Sequence, residues 1–187
     1  MLRRIVLAVT GIASCCTMVF AAESTPVTTG SVLDAQLASV EKEVVSLAEA
    51  MPADKYGFAP TQGEFKGVRT FAEQAKHIAS TNWGVCATAL GEKPPAETGE
   101  DEKGPASVST KDQIVKYLRD SYTYCHKAEL AATNTNLTDM IGYMGGDKGK
   151  RARLFWVDLP IWHSCDHYGQ MVEYARMNGI VPPASRK

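Results

Sequence analysis

Long apolar runs are missing from this 187-residue chain once the first 21 residues are passed, so nothing beyond them reads as a membrane span. A basic excess is missing too. Twenty Lys and Arg face 21 Asp and Glu, a formal net charge of −1, which argues against a nucleic-acid partner. Cysteine is sparse and irregular: five residues that form neither a disulfide framework nor a zinc ribbon. No C-x-x-C-H stands in the chain, so covalent haem is excluded. No run keeps the strict alternation of a strand. What remains is a 44% hydrophobic composition of ordinary globular type, long enough to bury one core without cross-links.

The N-terminus reads as an address. Arg3-Arg4, an apolar stretch from Ile5 to Phe20 and small residues at Val19 and Ala21 describe a secretory signal peptide over residues 1–21, cut after Ala21. The alternative is a lipoprotein signal, with Ile12-Ala13-Ser14-Cys15 as the lipobox and Cys15 as the anchor. Thr10, Gly11 and Ser14 break the stretch and weigh against a membrane anchor. The protein is therefore expected to be exported, to the periplasm or the exterior. Cleavage removes two basic side chains and leaves Cys86, Cys125 and Cys165. In an oxidising compartment one pair can bridge and one thiol is left over, and spacing does not choose the pair. Residues 22–31 read as a linker, 32–183 as one domain and 184–187 as a tail.

Four segments of the mature chain carry a helical period. Leu33, Leu37, Val40, Val44, Leu47 and Met51 line one face of the first, and Pro52 closes it. Thr70 and Glu73 form a capping box ahead of Phe71, Ala75, Ile78, Val85 and Ala89, and Gly91 is the expected stop. Thr110 with Gln113 opens the third, whose buried face is Ile114, Leu118, Cys125 and Ala128. The fourth runs from about Ala152 to Met177, with a kink or restart expected at Asp158–Pro160. The connection over 92–108 holds an acidic cluster, including Glu97, Glu100 and Glu102, and reads as a solvated loop. Lys148–Arg153 is basic and reads as a solvated helix start, with an anion site as the alternative. Four amphipathic helices without strands imply an all-α chain, an antiparallel four-helix bundle.

Only four histidines are present, and His163 and His167 stand at i, i+4 on the last helix. That spacing puts both imidazoles on one face, one turn apart, as two ligands of one metal ion need. Ser164 follows the first of them, so this is not the metalloprotease H-E-x-x-H. A third ligand would come from His77 or His126. His77, beside Ile78 at the edge of an apolar stripe, is preferred; His126 lies off the expected buried face. Gln170 and Tyr174 lie one and two turns beyond His167, and Gln74 and Thr81 flank His77. These four are placed to contact a small-molecule substrate or to orient a ligand's second nitrogen, although ordinary interhelical hydrogen bonding explains each singly. Trp83, Trp156 and Trp162 read as packing.

The segment Thr70-Phe71-Ala72-Glu73-Gln74-Ala75-Lys76-His77-Ile78-Ala79 follows a Phe58-Ala59-Pro60 loop. Together with His163-Ser164-Cys165-Asp166-His167-Tyr168-Gly169-Gln170 it resembles the DinB-like (YfiT-like) superfamily of metal-dependent enzymes. The resemblance runs from about Val32 to Pro183. It implies a four-helix bundle holding one divalent metal through His77, His163 and His167. Three imidazoles suit Zn or Ni first, and Fe or Mn by the same ligand type. Members of known chemistry include transferases and isomerases that use thiols such as bacillithiol or mycothiol. An exported protein would not meet those cytosolic thiols, which shifts the expectation toward metal-activated hydrolysis, or toward a bundle that only binds metal. Self-association through an exposed helix face stays open.

Overall fold

Three threonines fix where the first three helices begin. Thr28, Thr70 and Thr110 each accept the amide of the residue three positions on, while Ser31, Glu73 and Gln113 reach back to the cap's own amide. The helices they open are α1 (Thr29–Ala50), α2 (Phe71–Leu90) and α3 (Lys111–Leu130). The fourth, α4 (Arg153–Met177), has no side-chain cap. Its first two amides donate instead to the carbonyls of Asp139 and Leu137, so the preceding connection serves as the cap. The computed structural model describes residues 26–146 and 149–187. The signal peptide over 1–21, the cut after Ala21 and the Cys15 lipobox lie outside the described residues.

Helix α1 starts inside the stretch expected to be linker, because the Thr28–Ser31 cap lies upstream of the apolar period. Gly30 then passes so close to the end of α3 that a β-carbon there would stand 2.8 Å from the carbonyl oxygens of Glu129 and Ala132. Gly91, at φ 72°, ends α2 as expected. Of the kink or restart expected at Asp158–Pro160, the restart does not occur: α4 runs unbroken through Pro160. Proline forfeits one helical hydrogen bond there, and packing of α4 against α1 and α2 outweighs that loss. One strand pairing that the sequence pattern does not show is present. Met140–Ile141 pairs antiparallel with Arg151–Ala152, a two-residue ribbon too short to carry a period.

Helices α1 and α2 each pack against both α3 and α4, so α1 and α2 face each other across the bundle. The ion pair of Arg119 with Glu49 and that of His126 with Asp34 show α1 and α3 running antiparallel. Contacts of Ser80 with Tyr117, Asn82 with Ser121 and Cys86 with Cys125 advance together, so α2 and α3 run parallel. Gln74 meeting Gln170, while Arg153 reaches the Ala89 carbonyl, makes α4 antiparallel to α2. Two helices thus point each way, and the pairing of α2 with α4 builds the site.

Leu37, Leu47, Phe71, Ile78, Ile114, Leu118, Tyr122 and Met171 are fully buried and form the centre of the core. Each contributes about 1.5–3 kcal/mol by leaving water. Cys86 and Cys125 form a disulfide between α2 and α3, and Cys165 is free and exposed. Among the described residues, no helix is long and apolar enough to cross a membrane.

Candidate metal centre

His77 lies in the second turn of α2, and His163 and His167 lie one turn apart on the face of α4 that packs against it. Antiparallel packing brings the three rings edge to face, with centroids 4.4–4.9 Å apart. The Nε2 atom of His163 is 3.1 Å from Nε2 of His77 and 3.1 Å from Nε2 of His167. The ligand atoms of the three residues all lie within 4.8 Å of one another, a group able to hold a metal ion. His126 is elsewhere, held between Asp34 and Glu41 at 2.7 and 2.9 Å on the α1–α3 side.

The outer nitrogens decide what faces inward. Nδ1 of His77 lies 3.1 Å from the carbonyl oxygen of Glu102, and Nδ1 of His167 lies 2.7 Å from Oε1 of Gln74. Both partners only accept, so both Nδ1 atoms carry the proton, and both Nε2 lone pairs point into the cluster. The Gln74 amide is itself fixed, because its nitrogen donates to Oε1 of Gln170 at 2.8 Å. Nδ1 of His163 is buried and has no hydrogen-bond partner. A neutral His163 offers the cluster at most one inward proton for two inward lone pairs. At least one lone pair therefore lacks a protein donor, and a cation suits that surplus of lone pairs.

Protonation does not relieve this crowding. Burial, then the charges of His167, His77 and Arg69, pushes His163 down to about 3. Burial, His77 and Arg69 lower His167 to about 4, against the pull of Asp166. Burial also lowers His77, although Glu102 opposes it through its carbonyl and its charge. The cluster is thus neutral, and ready to coordinate, across the physiological range.

The other two residues singled out in the sequence take hydrogen bonds to the connections between helices. Thr81, one turn past His77, donates to Oε2 of Glu102 at 3.2 Å. Tyr174 donates to the Arg69 carbonyl at 3.1 Å and sets its ring against Phe58 at 5.7 Å, which ties the α1–α2 connection to α4. Gln74 touches a histidine directly, and Gln170 acts on it through Gln74.

Glu102 carries no sequence signal beyond an acidic cluster, yet it stands at the site. The 91–110 connection folds back on α2, pinned by Lys76 donating to the Pro105 carbonyl and Tyr117 donating to that of Glu97. Glu102 sits there at φ 54°, a left-handed conformation uncommon outside glycine. That turn sends its carbonyl to His77 and leaves its carboxylate 3.9 Å from His77 Nδ1. Beside them lies a pocket of about 360 Å³, reached from His163 and walled by Tyr143, Phe155, Trp156 and Trp162. Two of the tryptophans expected to serve packing therefore line it. Tyr143 reaches this place because α2 has Gly84 opposite, where a β-carbon would stand 2.6 Å from the phenol oxygen.

Comparison with known proteins agrees with this architecture. The family model of the DinB superfamily matches residues 36–171. A crystal structure of a DinB-like protein from Bacillus cereus superimposes with a TM-score of 0.60 at 18% identity, covering 81% of this chain and 93% of that one. At that identity the likeness concerns the fold. No curated protein sequence matches the chain.

Proposed function

Given that this chain belongs to the DinB superfamily, we propose that it is an exported metal-dependent enzyme, a hydrolase or a transferase. His77, His163 and His167 hold one divalent ion, Zn or Ni before Fe or Mn. When bound, such an ion supplies Lewis-acid activation of water or of a thiol. The chain's own residues do the rest. The Glu102 carbonyl and Gln74 hold two of the rings with their lone pairs inward. Burial first, with the charge of Arg69 as a smaller contribution, lowers the pKa of all three histidines. The Glu102 carboxylate gives the pocket a hydrogen-bond acceptor next to the site.

The observation that carries this reading is that the cluster is not sealed. His163 is only half-buried and itself lines the pocket, so the cluster adjoins a space that a small molecule can enter. Export rests on the charged and apolar leader and agrees with the Cys86–Cys125 bridge. It favours water over a cytosolic thiol as the nucleophile.

The test is metal analysis of the mature chain from residue 22, made without a His tag. About one divalent ion per chain that also binds azide supports an open catalytic site. An ion that takes no exogenous ligand supports the alternative, a bundle that only binds metal. No uptake of Zn, Ni, Fe or Mn refutes both.

A further inference from the structure

The pocket beside His163 has a polarity that its position does not require. Phe155, Leu159 and His163 recur every four residues along α4, so they form one stripe on a single face, and Arg151, in the short strand just ahead of the helix, sets its guanidinium beside Phe155. A stripe facing solvent would ordinarily be polar. Here Phe155 is 38% and Trp162 48% exposed, and across from them stand Tyr143 and the α2 residues Thr81 and Val85. Trp156 directs its indole N–H away, to the Ile141 carbonyl at 3.0 Å, and so adds a dry ring to the wall.

The two ends carry opposite charge. Glu102 stands at the His163 end, where Oε2 accepts from Thr81. Arg151 marks the other end, its guanidinium carbon 5.8 Å from the centre of the Phe155 ring. That guanidinium touches the Lys150 carbonyl and the Phe155 ring, and no carboxylate among the described residues pairs with it. Phe155 and His163 are eight helical steps apart, which at 1.5 Å each is about 12 Å along the helix.

We propose that this pocket is the substrate-binding site and takes a flat aromatic carboxylate, its anionic group at Arg151 and its apolar body along Phe155, Trp156 and Trp162 toward His163. The assignment deepens the metal-enzyme reading and rests on it for the word substrate; the binding geometry stands on the pocket alone. The aromatic walls supply stacking surface and Arg151 a charge-assisted contact. The direction in which the molecule lies rests on the Arg151 contact, because the charge of Arg69 offsets that of Glu102 at the inner end. The reacting bond then lies at the histidine end, about 12 Å along the helix from Phe155.

The test is calorimetric titration of the mature chain with biphenyl-4-carboxylate and with its neutral carboxamide, with metal content measured on the same samples. The wild type should bind the carboxylate about fivefold more tightly than the amide, as one partly exposed ion pair allows. Arg151→Ala should erase that preference, and Arg151→Glu should reverse it. Trp162→Ala should weaken both probes alike. Equal affinity of the two probes for the wild type, no binding of either, or a preference that survives Arg151→Ala overturns the proposal. So does a carboxylate preference that disappears only on metal removal, since the anion would then sit at the histidines. Metal at one per chain without a probe preference sinks the pocket assignment alone. A preference without metal sinks the enzyme reading alone.

Discussion

Gln74 Oε1 stands 2.7 Å from His167 Nδ1, and through that contact a glutamine on α2 determines which nitrogen of a histidine on α4 faces the cluster. Because Gln170 holds the far side of the same amide at 2.8 Å, the orientation of Gln74 is not free to flip. Gln74→Leu removes the acceptor while keeping most of the volume. Metal affinity should fall about 10- to 100-fold, the usual cost of losing such an outer partner, with the helix content unchanged. Gln170→Leu should weaken it less, since Gln74 keeps its own contact to the ring. Competition against a chromophoric chelator measures both, and an unchanged affinity in Gln74→Leu would show that the ring orientation is held by something else.

The ligand set makes a simpler claim. His77→Ala, His163→Ala and His167→Ala should each lose stoichiometric metal, and His126→Ala should keep it. Elemental mass spectrometry on the four variants decides it. Loss of metal in His126→Ala with retention in His77→Ala would invert the assignment of the third ligand.

Much of this centre is legible in the amino-acid sequence alone. His163 and His167 declare themselves by a spacing of four on a periodic helix, and His77 by its place beside a buried stripe. The caps at Thr70 and Thr110 are equally plain, because a reciprocal side-chain cap is a local event. Glu102 and Tyr143 are not legible as site residues, and Arg151 shows only as part of a basic run with an anion site as its alternative reading. They belong to the connections over 91–110 and 131–152, where no period says which side chain turns inward, and long-range contacts such as Lys76 to Pro105 place them. Pro160 does not end the helix for the opposite reason: its local cost is real, but α4 is held by neighbours that a local rule does not see.

The disulfide closes a loop of 39 residues between α2 and α3. On the chain-entropy account, a loop of that length is worth about 4 kcal/mol through the unfolded state. Cys86→Ala/Cys125→Ala should lower the denaturant midpoint accordingly, with little change in the metal bound. A midpoint equal to that of the oxidised wild type would mean that the bridge adds no stability.

His126 links α3 to α1 through Asp34 and Glu41. Burial pulls its pKa down, but the hydrogen bonds and charges of Glu41 and Asp34 outweigh burial and raise it above 6.5. A raised histidine stabilises the fold fully below its unfolded value and loses that contribution as pH climbs through the folded one. Relative to His126→Asn, the wild type should therefore be more stable by about 1 kcal/mol at pH 5.5, and the gap should close as the pH rises beyond 6.5. Thermal melts of the pair across that window test it. A gap that widens with pH would contradict the ion-pair account.

Glu129 is the least comfortable side chain in the core. It is fully buried, and neither carboxylate oxygen has a hydrogen-bond partner. Burial first, then the negative charges of Asp34 and Asp158, raises its pKa to about 8 from an ordinary 4.5. The folded protein thus holds this proton where the unfolded chain gives it up, so stability falls as pH rises from about 4.5 to 8. Above that range the full cost of an unpaired buried carboxylate remains. Glu129→Met removes the charge and leaves an apolar side chain of similar length in its place. At pH 8 it should be more stable than wild type by an amount on the order of 2–4 kcal/mol, and the gain should shrink as the pH falls to 4, toward that of removing an unpartnered neutral carboxyl. Denaturant titrations at the two pH values measure the difference. A variant no more stable than wild type at pH 8 would mean that Glu129 is partnered in solution, because an uncompensated carboxylate cannot be removed from a core without gain.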